Sequence, residues 1–499
     1  MNKRMISRLG SVGLAGMLLL AGCSGEKGSS SSSEGGGDGK ITWMNILHTA
    51  SPPTDTVVDE IEKKTDTEIE FSWVPDASKE ERINTAIASD SLADIVTITM
   101  MDNSSVRNAM KSGMFWNVED YLDDYPNLKD ISEDVRKSAS IEGKLYGVPF
   151  QKDLSRIGIV IRKDWLDNLG LDMPKTTEDL MKVAQAFTED DPDGNGKDDT
   201  VGLLDRSDLV YSSFKTLATY FGAPNKWDVD DQGNFTPEFE TEGYVQAMDY
   251  LKKMYDNGWV NKDFAVMAKT DQQQTFAQGK AGIYFGGLFD GQNFQNMAKG
   301  IQDDMELDLI NDMTSTDYNK RVIWSEGNGV GGVLAFPRSE VKDEVELKKI
   351  LQFVNDLHDE ELYNMMTYGI EGTHYEEDAD GLYKIIDQNL WQQEVQPLAA
   401  SRPRETGYES KDPNPIKQKS NEMIAENADY AVLNPAVPLE SATYSSQGTE
   451  LQKIITDATY QYILGEIDMK GFKKAVQSWE DQGGKTIKEE YKEAYKASQ

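Results

Sequence analysis

Residues 141–176 read IEGKLYGVPFQKDLSRIGIVIRKDWLDNLGLDMPKT. Gly143, Gly147 and Pro149 punctuate the first part, and the run from Ile157 to Ile161 has the length and β-branched content of a strand buried on both faces. Arg162 to Trp165 closes that strand. Asp164 or a neighbour caps a short helix in which Trp165, Leu166 and Leu169 share a face before Gly170 stops it. Pro174 forbids continuation, and Thr176 with Asp179 three residues on has the pattern of a capping box. The helix it opens carries Leu180, Val183, Ala184 and Phe187 at helical spacing. A turn, a core strand and two short amphipathic helices in so short a span predict an α/β architecture.

The flanking chain repeats this grammar. Residues 41–47 read as a strand, 54–64 as a helix with Val57, Val58 and Ile61 inward, 68–74 as a strand, 79–88 as a helix and 94–98 as a strand. Strands alternating with helices predict a lobe with a largely parallel sheet. Farther on, residues 244–255 place Ala247, Met248, Leu251 and Met254 on one helical face, where methionine is packing material. Residues 279–285 and 333–336 read as buried strands, the second after the glycines of GNGVGG. Leu347, Ile350, Leu351, Val354 and Leu357 make the clearest amphipathic helix. The rest, 377–499, reads as helical and polar, and Trp165, Trp227, Trp259, Trp391 and Trp479 read as packing aromatics.

Acids outnumber bases 87 to 51, a formal charge of −36, which disfavours nucleic acid because phosphate binding needs clustered Lys and Arg. No HExxH, GxSxG or GxxxxGK[ST] pattern occurs, and His48, His358 and His374 have no metal-ligand spacing. His358 falls at the polar end of a helix, where solvent exposure is its default. A glycan-degrading enzyme needs only two placed carboxylates, so it stands as an alternative.

The single cysteine, Cys23, is explained by its position. Lys3, Arg4 and Arg8 precede an apolar run at 12–20 and the small residues Ala21 and Gly22, the layout of a secretory signal over residues 1–22. Leu20-Ala21-Gly22-Cys23 has the form of a bacterial lipobox, predicting a lipidated (palmitate-type) Cys23 as mature N-terminus. Residues 24–40, SGEKGSSSSSEGGGDGK, contain nothing able to bury apolar area and read as a flexible tether.

After Phe187 the chain turns to TEDDPDGNGKDDTVG. Asp191, Asp193 and Asn195, followed by Gly196, fit the alternating oxygen positions of an EF-hand-type calcium loop, with the Lys197 carbonyl and Asp199 next in line. The twelfth position is Gly202 where a bidentate Glu would stand, so a helix-flanked EF-hand is not expected. The role of calcium here would be a structural staple.

GKLYGVPF, IVIRKDWLDNLGL and PKTTEDL, with the later MYDNGWVNKDF (254–264), FAQGKAGIY (276–284) and YGIEGTHYE (368–376), resemble the solute-binding lipoproteins of bacterial ABC importers, in particular the large Gram-positive oligosaccharide-binding type. The likeness runs in order through nearly the whole mature chain. It implies a two-lobed, periplasmic-binding-protein-like α/β fold of type II with an interlobe ligand cleft. Lobe one would be 41–152 plus 328–372, and lobe two 153–327 plus 373–499.

It also implies a monomer held outside the cytoplasmic membrane by its lipid anchor, binding an oligosaccharide and passing it to permease subunits. In that family the short calcium loop ends in Asp then Glu, and here Thr200 occupies the Glu place.

Sugars present apolar ring faces and rims of hydroxyls, so their cleft needs aromatic platforms beside carboxylates, amides and cations. Candidates at strand ends and crossings are Trp43, Asn45, His48, Phe150, Gln151, Lys152 and Asp153. The second set is Phe285, Phe289, Asp290, Trp324, Glu326 and Asn328, with Glu371 and His374 in the YGIEGTHYE segment. A peptide or another small solute is the alternative cargo.

Overall fold

Every residue of the run at 157–162 is buried, and it forms strand β5 (Ile157–Arg162) inside one of two larger sheets. The computed structural model describes residues 40–101 and 103–498, so the signal segment, Cys23 and the tether to residue 39 lie outside the described residues. Thr176 Oγ1 accepts the N–H of Asp179 at 3.1 Å and caps the helix Thr177–Glu189, whose buried face includes Leu180, Val183, Ala184 and Phe187.

The preceding helix, Lys163–Leu169, departs from expectation at its start. Asp164 lies in the first turn and does not cap it, because the buried Arg162 guanidinium takes its carboxylate through Nε at 2.8 Å. Gly170 ends the helix at φ 65, a left-handed conformation that glycine adopts freely.

The first lobe is built on β1 (Lys40–Leu47), β2 (Glu68–Pro75), β3 (Ile95–Ile98), β4 (Val148–Gln151) and β12 (Val330–Ala335), in the order β2-β1-β3-β12-β4. β1 pairs parallel with β2 and β3, and β12 runs antiparallel to both β3 and β4, so the predicted parallel sheet carries one reversed strand. That reversed strand returns from the other lobe. A Cβ on Gly147 would lie 2.4 Å from the Leu334 carbonyl oxygen, which is why glycine leads into β4 where it presses on β12.

The second lobe is built on β5, β6 (Val201–Leu203), β9 (Ala281–Gly287) and β10 (Leu307–Ile310), in the order β10-β5-β9-β6. Hairpin β7 (Trp227–Val229) and β8 (Phe235–Pro237) and a long C-terminal helical layer complete it. β13 (Tyr375–Glu377) and β14 (Tyr383–Ile385) form a small hairpin late in the chain, in a region the sequence predicts as helical.

The cores are separate. One gathers Trp43, Ile95, Phe115, Val148, Leu334, Leu351 and Val354; the second gathers Ile159, Trp165, Phe187, Leu251, Phe285 and Trp479. Each fully buried aliphatic or aromatic side chain contributes about 1.5–3 kcal/mol. Val395 and Leu398 join the first core, beyond the boundary at 372, so the chain stays with the first lobe until the segment 402–414. The lobes are thus joined by three crossings, 152–156, 325–329 and 402–414.

Backbone hydrogen bonds stitch the crossings together. Gln151 N–H donates to the Pro403 carbonyl at 2.8 Å and Glu405 N–H to the Gln151 carbonyl at 2.8 Å. Lys152 N–H donates to Gly329 at 2.9 Å and Glu326 N–H to Leu154 at 2.8 Å. Beside them β11 (Ile323–Trp324) pairs parallel with β15 (Ala431–Val432).

Candidate ligand site between the lobes

Because β4 runs straight into a crossing and β1–β3 point the same way, the carboxyl ends of four first-lobe strands face the second lobe. In α/β sheets that is where ligands are held. The crossings themselves place charge on the floor of this cleft. Arg156 makes a two-pronged contact with Glu326, Nη2 to Oε1 at 2.8 Å and Nε to Oε2 at 3.1 Å, while its backbone N–H adds a bond at 3.1 Å. The guanidinium carbon lies 5.6 Å from the ring centre of Phe289, so the cation is fixed by a carboxylate on one side and an aromatic face on the other.

Around this pair sit further ions. Lys152 Nζ is 3.7 Å from Glu405 Oε2, and Arg402 Nη2 is 3.6 Å from Glu405 Oε1. Burial pushes the Asp153 carboxyl above its usual range, against a Thr406 hydrogen bond and the Arg156 charge. Burial likewise lowers the Lys417 ammonium, and the charges that bear on it are Asp412, Asp153, Arg402 and Arg156.

Aromatic groups rim the cluster. Tyr363 and Tyr408 stack at 4.0 Å between ring centres, with the Arg402 and Arg404 guanidinium carbons 5.9 Å and 5.1 Å from one ring each. From the second lobe the exposed Tyr211 leans edge-on against Trp324 at 5.5 Å. At the end of β1, His48 Nδ1 is 3.7 Å from Asp76 Oδ1; burial lowers its imidazole pKa, countered by the Asp76 charge.

The structure divides the sequence-predicted residues into two groups. His48, Lys152, Asp153, Phe289 and Glu326 come together with the crossings. The others sit in the cores or in buried hydrogen bonds, except Gln151, at the first crossing with its Nε2 buried and unpartnered among the described residues, and the exposed Glu371. Trp43 packs on Phe71 at 5.3 Å and donates from Nε1 to Thr97 Oγ1 at 2.9 Å; Phe150 and Phe285 are core residues of their lobes. Asn45 is fully buried and bound to Ser401, Thr97 and the Ile46 N–H.

Gln151 is buried, and its main chain pairs with Arg404. Asp290 accepts the Tyr284 hydroxyl at 3.1 Å, and Trp324 Nε1 donates to Thr216 Oγ1 at 3.0 Å. Asn328, at φ 54, ties Ser325 to the main chain of Asn434. His374 is fully buried against Glu394 Oε2 at 3.1 Å, and Glu371 is exposed just before the turn that carries it, bridged to Tyr375.

His358 corrects the expectation of solvent exposure: it is buried, with Nδ1 2.8 Å from the Val354 carbonyl, because the stacked Tyr408 arm folds over it and donates to its own carbonyl at 2.6 Å. Sequence reasoning missed Arg156, Tyr211, Arg402, Glu405 and Lys417. Arg156 had a legible signal, lying three residues past Asp153 in the same crossing. The 402–417 group had none, since nothing local distinguishes a third crossing from a surface loop.

In the 191–199 loop, Asp191 accepts the N–H groups of Asn195 and Gly196 at 3.1 and 3.0 Å, and the Asn195 amide bridges Asp193 and Asp199 at 2.7 and 3.1 Å. The donor set is all oxygen, as calcium requires. In this geometry Lys280 Nζ holds Asp199 at 2.7 Å, and no group of three or more acidic, His or Cys side chains is arranged for a metal among the described residues. Thr200 points inward, its hydroxyl on the Phe187 carbonyl at 2.8 Å, and offers nothing to the loop.

Near the second crossing the lobes also touch through charge. Glu440 of the second lobe meets Arg107 Nε at 2.8 Å and Lys111 Nζ at 2.9 Å, both on the first-lobe helix Ser104–Lys111. A groove of 1440 Å³ runs outward from this contact between Arg136, Lys137 and Glu142 and the end of the C-terminal helix.

Comparison with known proteins agrees with this architecture. Residues 48–333 match the family described as bacterial extracellular solute-binding protein. A Bacillus subtilis protein named polygalacturonan/rhamnogalacturonan-binding protein YtcQ is 48% identical over 482 residues, covering 96% of each chain. Lipoprotein LipO from the same organism is 34% identical over the full length of both.

Among solved structures, an ABC-transporter-associated solute-binding protein for HMO from Bifidobacterium longum infantis superposes with a TM-score of 0.71 at 17% identity, covering 93% of this chain and 99% of that one. An EF-hand mutant of the S. pneumoniae substrate-binding protein FusA gives 0.64 at 20% identity, covering 92% and 100%. The fold is the two-lobed type II solute-binding fold.

Proposed function

The chain belongs to the bacterial extracellular solute-binding proteins and serves an ABC importer as its carbohydrate-capturing subunit, and we propose that its cargo is an acidic, uronate-bearing oligosaccharide. The observation that carries this reading is the placement of cations. In a chain with a formal charge of −36, Lys152, Arg156, Arg402, Arg404 and Lys417 gather at the crossings, interleaved with Tyr211, Phe289, Tyr363 and Tyr408. Guanidinium forks suit carboxylates, each such hydrogen bond being worth about 1.5–3 kcal/mol, and the aromatic faces suit the apolar side of a sugar ring. The name of the relative that is 48% identical supports the same chemistry.

Binding closes the lobes on the cargo, which is released unchanged to the permease. Titration calorimetry against trigalacturonate, a neutral galactose trimer and a peptide mixture tests the proposal, with products analysed for sugar release. Trigalacturonate alone is expected to bind, intact. Equal binding of the neutral trimer removes the acidic reading, binding of peptides alone removes the carbohydrate, and release of monosaccharide makes the protein an enzyme.

The proposal extends to attachment and metal. Cys23 carries the lipid anchor that holds a monomer at the outer face of the membrane, which the lipoprotein relative supports; Cys23→Ser then frees the protein into the medium. Asp191, Asp193, Asn195, the Lys197 carbonyl and Asp199 hold a calcium ion that staples the loop to the second lobe, taking the charge-neutralising place of Lys280 on Asp199.

A further inference from the structure

Between the end of β3 and the segment 434–445 the lobes line a half-open cavity of 260 Å³, whose wall also takes in Gly327, Val330 and Gly332 around the second crossing. Thr99 and Arg107 line it from the first lobe, Lys226, Asn434, Tyr444 and the Arg107-paired Glu440 from the second. Two polar atoms in its wall are buried without a partner among the described residues: Thr99 Oγ1 and Arg107 Nη2. The rest of the Arg107 guanidinium is committed, Nε to Glu440 at 2.8 Å and Nη1 to the Met101 carbonyl at 3.1 Å. One N–H₂ face is therefore held in place by the others and has no partner among the described residues. An unmade hydrogen bond on a buried group costs about 1–3 kcal/mol, so a water, an ion or a ligand is called for to complete these two atoms.

The opposite wall has the same character. Lys226 is exposed and sits at φ 63, a left-handed conformation that costs a lysine on the order of 1–2 kcal/mol, and its N–H is tied to Glu238 Oε2 at 3.0 Å. That turn directs the residue into the lining, while Trp227 beside it is buried. Tyr444 is 37% exposed and offers a ring face at the edge of the cavity. A guanidinium N–H₂, an ammonium, a hydroxyl, an amide and an aromatic face around one small space are the complement of a carboxylate-bearing sugar ring. The volume lies below the roughly 300 Å³ at which pockets for drug-sized ligands begin, so it takes one ring.

We propose that this cavity is a binding subsite for a single uronic acid residue, built from both lobes and complete only when Glu440 has met Arg107 and Lys111. It rests on the reading that the cargo is an acidic glycan. The residue bound is either the end of the cargo chain or a free uronic acid; the chemistry is the same.

Thr99→Val is the decisive variant, because it removes a hydroxyl that has no partner among the described residues and keeps the side-chain shape. Lys226→Met is the second, on an exposed turn. Wild type and both variants are titrated with galacturonic acid and with trigalacturonate, and their melting temperatures are measured without ligand.

Each variant is expected to weaken the uronide that wild type binds by about fivefold or more, the size of one hydrogen bond, with melting temperatures not lowered. Loss confined to the trimer assigns the subsite to the chain end; loss with the monomer as well assigns it to the free sugar. Unchanged affinity in both variants overturns the subsite and leaves the acidic cargo standing. Wild type that binds no uronide overturns the cargo reading itself. A melting temperature lowered by Thr99→Val shows the hydroxyl to be structurally used and also overturns the proposal.

Discussion

Glu440→Gln tests whether contact between the lobes is part of the binding free energy. Glu440 reaches from the second lobe to Arg107 at 2.8 Å and Lys111 at 2.9 Å, and the three side chains are 26%, 12% and 31% exposed. A fully exposed pair contributes up to about 1 kcal/mol and a hydrogen bond to a charged group about 1.5–3 kcal/mol, so this half-screened pair of contacts is worth about 1–2 kcal/mol. Because the partners lie on different lobes, that free energy belongs to the lobe arrangement that brings them together, here assigned to the closed form, and not to the folding of either lobe.

Loss of it shifts the closed-to-open ratio by about 5- to 30-fold and weakens cargo binding by up to the same factor. Burial raises the Glu440 carboxyl, but the Lys111 and Arg107 hydrogen bonds outweigh it and hold the group below its usual range. A depressed carboxylate stabilises fully above the unperturbed value of about 4.3 and loses that contribution as pH falls through the depressed one. The variant is therefore deficient at neutral pH and converges with wild type in acid. Small-angle scattering and calorimetry with the same uronide check this. An unchanged radius and Kd at pH 7, or a lowered melting temperature with unchanged Kd, refutes the assignment.

Burial holds His358 at about 4, and its Nε2 has no partner among the described residues. The unfolded chain takes up a proton that the folded one refuses, so stability falls as pH drops from about 6.5 toward 4 and levels off below, by an amount on the order of 3 kcal/mol. Denaturant titrations of wild type and His358→Gln at pH 7 and 4.5 should show a steeper loss of stability in wild type, the difference being the His358 contribution. Gly202→Ala should cost several kcal/mol or prevent folding, since its Cβ would lie 2.1 Å from the Ala184 carbonyl oxygen in the helix behind β6; chemical denaturation reads it. Calcium added to chelator-treated protein should raise the melting temperature, Asp193→Ala should abolish the rise, and Lys280→Met should preserve it.

The architecture was legible where periodicity is strong. Leu180, Val183, Ala184 and Phe187 point inward as spacing predicts, and the helix behind Leu347, Ile350, Leu351 and Val354 forms over Glu344–Asp356. The candidate site was legible only in part. Residue type at strand ends points to Trp43, Phe285 and Trp324, but an aromatic at a strand end faces either the cleft or the core, and cross-strand register decides which.

Trp43 lies opposite Phe71 and Ile95 on its two neighbouring strands, and its ring turns into the core. Asn45, Asn328 and His374 are polar residues consumed by buried hydrogen bonds whose partners, Ser401, Asn434 and Glu394, are distant or unremarkable in sequence. The charged floor was hidden because Arg402, Glu405 and Lys417 meet Arg156 only through the third crossing.

The stitching of Gln151 to Pro403 and Glu405, and of Lys152 to Gly329, has a mechanical corollary. Three linkers bound side by side behave as one stiff strap, which bends about its own width and resists twist or slip. Cargoes of unlike length then produce the same rotation of one half against the other, and a docking permease meets a single outline whatever is carried.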